Sequence, residues 1–232
     1  MRSKLCLLLF FFLLVFCSKT FGQDNQLEVS LVGRTADKFF NIDFRKPIRL
    51  DTFVWDLFDS TATPAGISFA KDEDVYSEKY EFRPSTPKLG DILDSFAQAT
   101  GYSWRESNGV VNIFPAQDYS ILDTQISRFV ADKEYPSDLR KKLIETPEFQ
   151  KYLHDRNLID RVPDPMNKHG FITIGPIGRP DPRSKISFEL TNASVREILN
   201  EIVRKRANGL WSYREYDLVD DNDSYSMYRL EL

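Results

Sequence analysis

Lys79-Tyr80-Glu81-Phe82, a turn, Leu89-Gly90-Asp91-Ile92-Leu93-Asp94-Ser95-Phe96-Ala97, then Gly101-Tyr102-Ser103-Trp104 and Gly109-Val110-Val111-Asn112-Ile113-Phe114-Pro115 read as strand, helix, strand, tight turn and strand. Leu89, Ile92, Leu93, Phe96 and Ala97 fall at i, i+3, i+4, i+7 and i+8, one unbroken apolar stripe. Thr86 is placed to cap this helix, with Pro87 at the first position, where no amide donor is needed. Gly101 can supply a left-handed stop. Tyr102–Arg105 and Val110–Phe114 form a hairpin around Ser107-Asn108-Gly109, because both positions of an Asn-Gly turn accept positive φ.

Working back from this stretch, Phe40, Ile42 and Phe44 alternate with Asn41 and Asp43, the pattern of a strand with one buried face. Pro47 breaks it. Asp51 can cap a helix in which Val54, Leu57 and Phe58 share a face, with Thr61 a turn further on. Pro64-Ala65-Gly66 stops that helix, Ile67–Ala70 is a short strand, and Lys71–Asp74 is a charged turn. A first unit over 39–116 thus reads β-α-β, β-α-β-β.

Working forward, the stretch returns. A shift of 106 residues lays Phe82 on Phe188, Leu89 on Val195, Ile92 on Ile198, Leu93 on Leu199 and Phe96 on Ile202. Ser194 and Glu197 form a capping box. Trp211–Arg214 and Ser226–Leu230 make a closing hairpin over Asp220-Asp221-Asn222-Asp223. We read a tandem duplication, with a second unit over 184–232. Between the units, 117–183 is a helical segment and Pro-rich linker, or else the first half of unit two. Ile121, Ile126, Phe129 and Val130 indicate a strand there. Ser137–Glu145 and a fresh start at Thr146-Pro147 indicate helices, and Phe171–Ile174 another strand. The fold expected is α+β: two small β-α-β-type units, each with helices packed on one face of a short mixed sheet.

Residues 1–22 read as a signal peptide. Arg2 and Lys4 precede the apolar run Leu5–Phe16, too short for a membrane span, and Thr20-Phe21-Gly22 offers small residues for cleavage. Phe16 before Cys17 speaks against a lipoprotein site. Cleavage removes both cysteines and three cations, making the formal charge of −4 more negative still. Roughly 210 residues remain, enough for one large or two small domains. An acidic chain is a poor binder of phosphate backbones, so nucleic acid is set aside. The expected location is the periplasm or the exterior, with outer-membrane association as a variant, and no transmembrane span after cleavage.

No reactive constellation stands out. His154 and His169 lack ligand spacing for a metal. No nucleophile elbow, thiol or phosphate-cradling loop is present. Asp220–Asp223 lacks the glycine and distant glutamate of a calcium loop. Asp91, Asp94 and Glu197 fall on polar helix faces or caps. No catalytic, cofactor or metal residue is therefore assigned. Trp104, Trp211 and Tyr213, on hairpin strands, are the candidate partner-binding residues: core or cross-strand pairs if buried, anchors for a protein or glycan if exposed.

Leu89–Phe96, Thr100-Gly101-Tyr102-Ser103-Trp104 and Gly109–Ile113 resemble the STN family, the short N-terminal domain of secretins and TonB-dependent outer-membrane receptors. Ser187–Leu199 is similar to it a second time. The resemblance implies a small β-α-β repeat used for protein contacts in the bacterial envelope. Neither a secretin core nor a barrel follows within the sequence, so a pair acting through a separate partner is expected. Three functions are carried forward. The first is a non-catalytic envelope adaptor binding a protein through a sheet edge or the groove between units. The others are a glycan- or peptidoglycan-binding module and an acid/base hydrolase with two buried carboxylates.

Overall fold

The computed structural model describes residues 47–71, 79–81, 83–160, 185–206, 209–219 and 224–232. The segment 1–22, the strand expected at Phe40–Phe44, His169, the strand at Phe171–Ile174 and the Asp220–Asp223 turn lie outside the described residues.

A first block contains β1 (Ile48–Arg49), α1 (Leu50–Thr61), β2 (Ala65–Ser68), β3 (Lys79–Tyr80), α2 (Leu89–Thr100), β4 (Ser103–Ser107) and β5 (Val110–Phe114). A short α3 (Ser120–Asp123) leads into β6 (Gln125–Glu134), α4 (Pro136–Ile144), α5 (Pro147–Asp155), β7 (Leu158–Asp160), β8 (Ile186–Ser194), α6 (Val195–Arg206), β9 (Leu210–Val219) and β10 (Ser224–Glu231). The chain is α+β with mixed sheets. None of the described helices is long and apolar enough to cross a membrane.

Local chemistry sets most boundaries. Gly101 ends α2 at φ 76°, its N–H donating to Ala97 O, and Asn108 (φ 53°) and Gly109 (φ 77°) turn the β4–β5 hairpin. Ser194 and Glu197 close a reciprocal cap on α6: Ser194 N–H donates to Glu197 Oε2 (2.7 Å) and Glu197 N–H to Ser194 Oγ (3.2 Å). Three expectations need correction. First, α2 starts at Leu89 after an extended Lys88, because the Thr86 hydroxyl is engaged with the Asp91 carboxylate and the Lys88 N–H. Second, Ala65-Gly66 belongs to a strand. The chain turns earlier, at the left-handed Ala62, and Ala65 N–H already donates to Gly209 O at 3.1 Å. Third, Ile121 lies in α3, and the strand after it starts at Gln125.

One six-stranded sheet runs β4-β5-β2-β9-β10-β7. β2 is parallel to both β5 and β9, β10 is parallel to β7, and the hairpins β4–β5 and β9–β10 are antiparallel. Each half therefore has the same order: first hairpin strand, second hairpin strand, then the strand that follows the first helix or helix pair of its block, β2 after α1 and β7 after α5. Each half also has its own antiparallel ribbon, β1–β3 in one and β6–β8 in the other. Along the sheet the order is kept while every strand direction is reversed. The second block is thus the first turned over about an axis across the strands, and such a turn exchanges the two faces of the sheet.

The cores obey this geometry. Side chains alternate along a strand, so Ala65, Val111 and Leu210, which are paired in register, share one face. They join Ile67 and Ile113 under Leu50, Phe53, Val54 and Leu57 of α1 and Leu89, Ile92, Leu93 and Phe96 of α2. Val110, Trp211, Tyr213, Tyr228 and Leu230 point the other way, into a second core with α4, α5, α6 and the β6–β8 ribbon. β2 is buried along its whole length, and its Gly66 lies under the Trp211 indole.

Candidate functional site

Trp211 and Tyr213 are both completely buried, the case in which they are core residues and not anchors, so their candidacy as partner-binding residues is corrected. The reason is non-local: β9 is an inner strand between β2 and β10, and α6 packs over its Trp211 face. Trp104 is only partly buried. It shares a face with Ile113, against the first core, and its indole N–H donates to Asp94 Oδ1 on α2 at 2.8 Å.

Polar groups do fall inside, on the side of the sheet that carries the second core. Arg196, 4 % exposed, pairs with the Asp118 carboxylate and lies over the rings of Phe114 (5.9 Å) and Trp211 (5.7 Å). Asp118 also accepts from Ser68 Oγ at 2.6 Å and from Tyr119 N–H at 2.9 Å. Glu215, 3 % exposed, accepts hydrogen bonds from Tyr152 Oη (2.7 Å) and Tyr213 Oη (2.9 Å). Tyr119 Oη donates to Phe69 O at 2.7 Å and accepts from Glu215 N–H at 3.3 Å. Burial, reinforced by the Glu215 carboxylate, pushes Tyr152 up to about 12 and raises Tyr213 as well; burial also raises Tyr119. These phenols are held neutral as donors to fixed acceptors, and such a network locks packing in place.

A hollow of about 220 Å³ lies elsewhere. It sits where the β4–β5 turn meets the second block, between Ser107, Asn108 and Val110, the Leu190–Ala193 part of β8, and Glu197, Asn200, Glu201 and Arg204 of α6. Its carboxylates are engaged: Glu197 in the α6 cap, Glu201 with Arg204 and Lys205. The buried Glu215 does not line it. Among the described residues no group of His, Cys, Asp or Glu could hold a metal ion, and the side chain of His154 is 91 % exposed.

The open ground is at the rim of the sheet. β4 is one of the two outermost strands, with β7 at the other end, and no strand lies along its outer side among the described residues. Ser107 and Val110 flank a two-residue turn and so form the hydrogen-bonded pair that closes the hairpin, followed by Arg105–Asn112 and Ser103–Phe114. The backbone N–H and C=O of Trp104 and Glu106 therefore point outward. A second exposed feature is Trp55, half exposed on α1. The sequence carries the signal for its exposure, since 55 falls off the helical stripe set by Leu50, Phe53, Val54 and Leu57.

Compared with known proteins, the chain matches no family model, no curated protein and no solved structure.

Proposed function

We propose that this chain is a non-catalytic adaptor of the bacterial cell envelope, exported to the periplasm or beyond, built from two STN-like units and acting by protein–protein contact. The observation that carries this reading is the β4 rim, a strand whose outward backbone groups at Trp104 and Glu106 are positioned to take up a further strand. Two things support it. The repeated strand order fits a duplicated binding unit. The ionisable side chains inside the protein are engaged with one another, away from the hollow.

The test is site-specific photo-crosslinking in intact envelopes from Arg105, an exposed β4 residue, with exposed Lys151 of α5 as the control position. A discrete protein adduct is expected from position 105 and absent from 151. Glu106→Pro should abolish it, because proline removes an outward N–H while leaving the β4–β5 ladder intact. Identical adducts from both positions, or none from 105, would reject the β4 rim as the contact.

A further inference from the structure

The β2–β9 junction offers a template against which the β4 rim can be compared. β4 and β9 hold the same place in their blocks, as first strands of the two hairpins. Trp104 and Trp211 are equivalent as well. Each sends its indole N–H 2.8 Å to an Asx side chain on the last helix of its own block, Asp94 on α2 and Asn200 on α6. They differ in their neighbours. β9 has β2 running parallel beside it, with Gly66 opposite Trp211, and the indole lies across the bare glycine backbone. A Cβ on Gly66 would stand only 1.9 Å from Trp211 Cε2. The carbonyls of Gly209 and Tyr213 accept from Ala65 N–H (3.1 Å) and Phe69 N–H (3.0 Å). Carried onto β4, those acceptors are the carbonyls of Tyr102 and Glu106, on the side of β4 where Trp104 and Glu106 point outward.

We infer that β4 takes up an extended segment of a partner protein, running parallel to it with a glycine opposite Trp104. This rests on the adaptor reading and sharpens it, from an open rim to a strand of fixed direction, register and sequence requirement. Trp104 reads the segment: its ring covers a glycine and excludes a residue with a side chain, as Trp211 would at position 66. The outward backbone groups supply affinity without sequence preference.

The chain contains a ready probe. A peptide of residues 62–70, Ala-Thr-Pro-Ala-Gly-Ile-Ser-Phe-Ala, is β2 with its flanks. Titrated to millimolar concentration into the isotope-labelled protein, it should shift the Trp104 and Glu106 amide resonances and the Trp104 indole resonance saturably. The same peptide with Val for its glycine should bind at least about tenfold more weakly. Trp104→Ala should remove most of that discrimination. Glu106→Pro should remove binding of either peptide while the other resonances stay in place, which separates loss of the contact from loss of the fold.

Equal binding of the two peptides overturns the glycine rule while leaving β4 as a strand acceptor. Failure of both peptides, with crosslinking from Arg105 intact, likewise overturns this inference and spares the adaptor reading. Failure of both together with the crosslink removes the two at once. Shifts at Trp104 and Glu106 that follow protein concentration without any peptide would put a second copy of the chain on β4, which also overturns it.

Discussion

Gly66→Ala is the most informative single change in the fold. The new methyl would sit 1.9 Å from Trp211 Cε2 and 2.1 Å from Nε1, so the indole or the β2–β9 pairing must move. Trp211 is fully buried and tied to Asn200 at 2.8 Å, which leaves it no free direction. Overpacking a filled site costs about 1–3 kcal/mol. Displacing the ring adds roughly 1 kcal/mol for the lost hydrogen bond. The lower entropy of alanine in the unfolded chain offsets about 0.5–1 kcal/mol. The net expectation is a loss of about 1–3.5 kcal/mol, read from urea unfolding followed by far-UV circular dichroism. The same change made in a Trp211→Ala background should be neutral or stabilising by about 0.5 kcal/mol, because the obstacle is gone. A Gly66→Ala protein within about 0.5 kcal/mol of the native chain, or an equal cost in both backgrounds, would refute the packing of Trp211 on Gly66.

Three further outcomes follow from the same interior. Asp118→Ala leaves the buried Arg196 only the exposed Asp123 carboxylate, 3.9 Å away, and should cost about 3 kcal/mol in the same assay; a loss below about 1 kcal/mol would show that Asp118 is not the partner that makes the burial of Arg196 tolerable. The raised pKa values of Tyr119, Tyr152 and Tyr213 make an alkaline prediction. Their contribution is complete below the unfolded tyrosine value near 10.0 and is lost as the pH climbs towards the folded value of about 12 for Tyr152, since over that range the unfolded chain ionises first. Phenolate absorbance from these residues should therefore rise together with loss of circular dichroism, and full titration of all 10 tyrosines before unfolding would contradict the network. Ser194→Ala breaks the reciprocal cap of α6 and should cost about 1 kcal/mol, with Ser194→Thr, which keeps the hydroxyl, restoring most of it; equal stability of the two variants would remove the cap from the account.

The parts of the fold legible in the sequence are those decided by neighbours along the chain. The stripes Leu89–Phe96 and Val195–Ile202 both form helices of 12 residues, and the Asn108-Gly109 turn and the Ser194–Glu197 cap need only local contacts. The β2–β9 pairing is not legible in this way. Nothing near Ala65-Gly66 says that a strand from the far end of the chain will lie alongside, so a glycine that reads as a helix stop is in fact a ring platform. Trp104 and Trp211 illustrate the same limit. Their local settings are alike, yet one lies at the rim of the sheet and the other in its middle. Alternation puts Glu215 on the same buried face as Trp211 and Tyr213, but the phenol of Tyr152, which with that of Tyr213 makes its burial tolerable, comes from a segment 63 residues away.

The turned-over arrangement has a consequence for how the molecule is made. Leu210 completes the first core and Val110 the second, so each half borrows material through the wall they share. A nascent chain halted before residue 209 would hold β2 with one flank naked and its glycine open to water. The N-terminal half must wait, unfinished, until the last strands are delivered, and thereafter neither half can melt without spoiling the other.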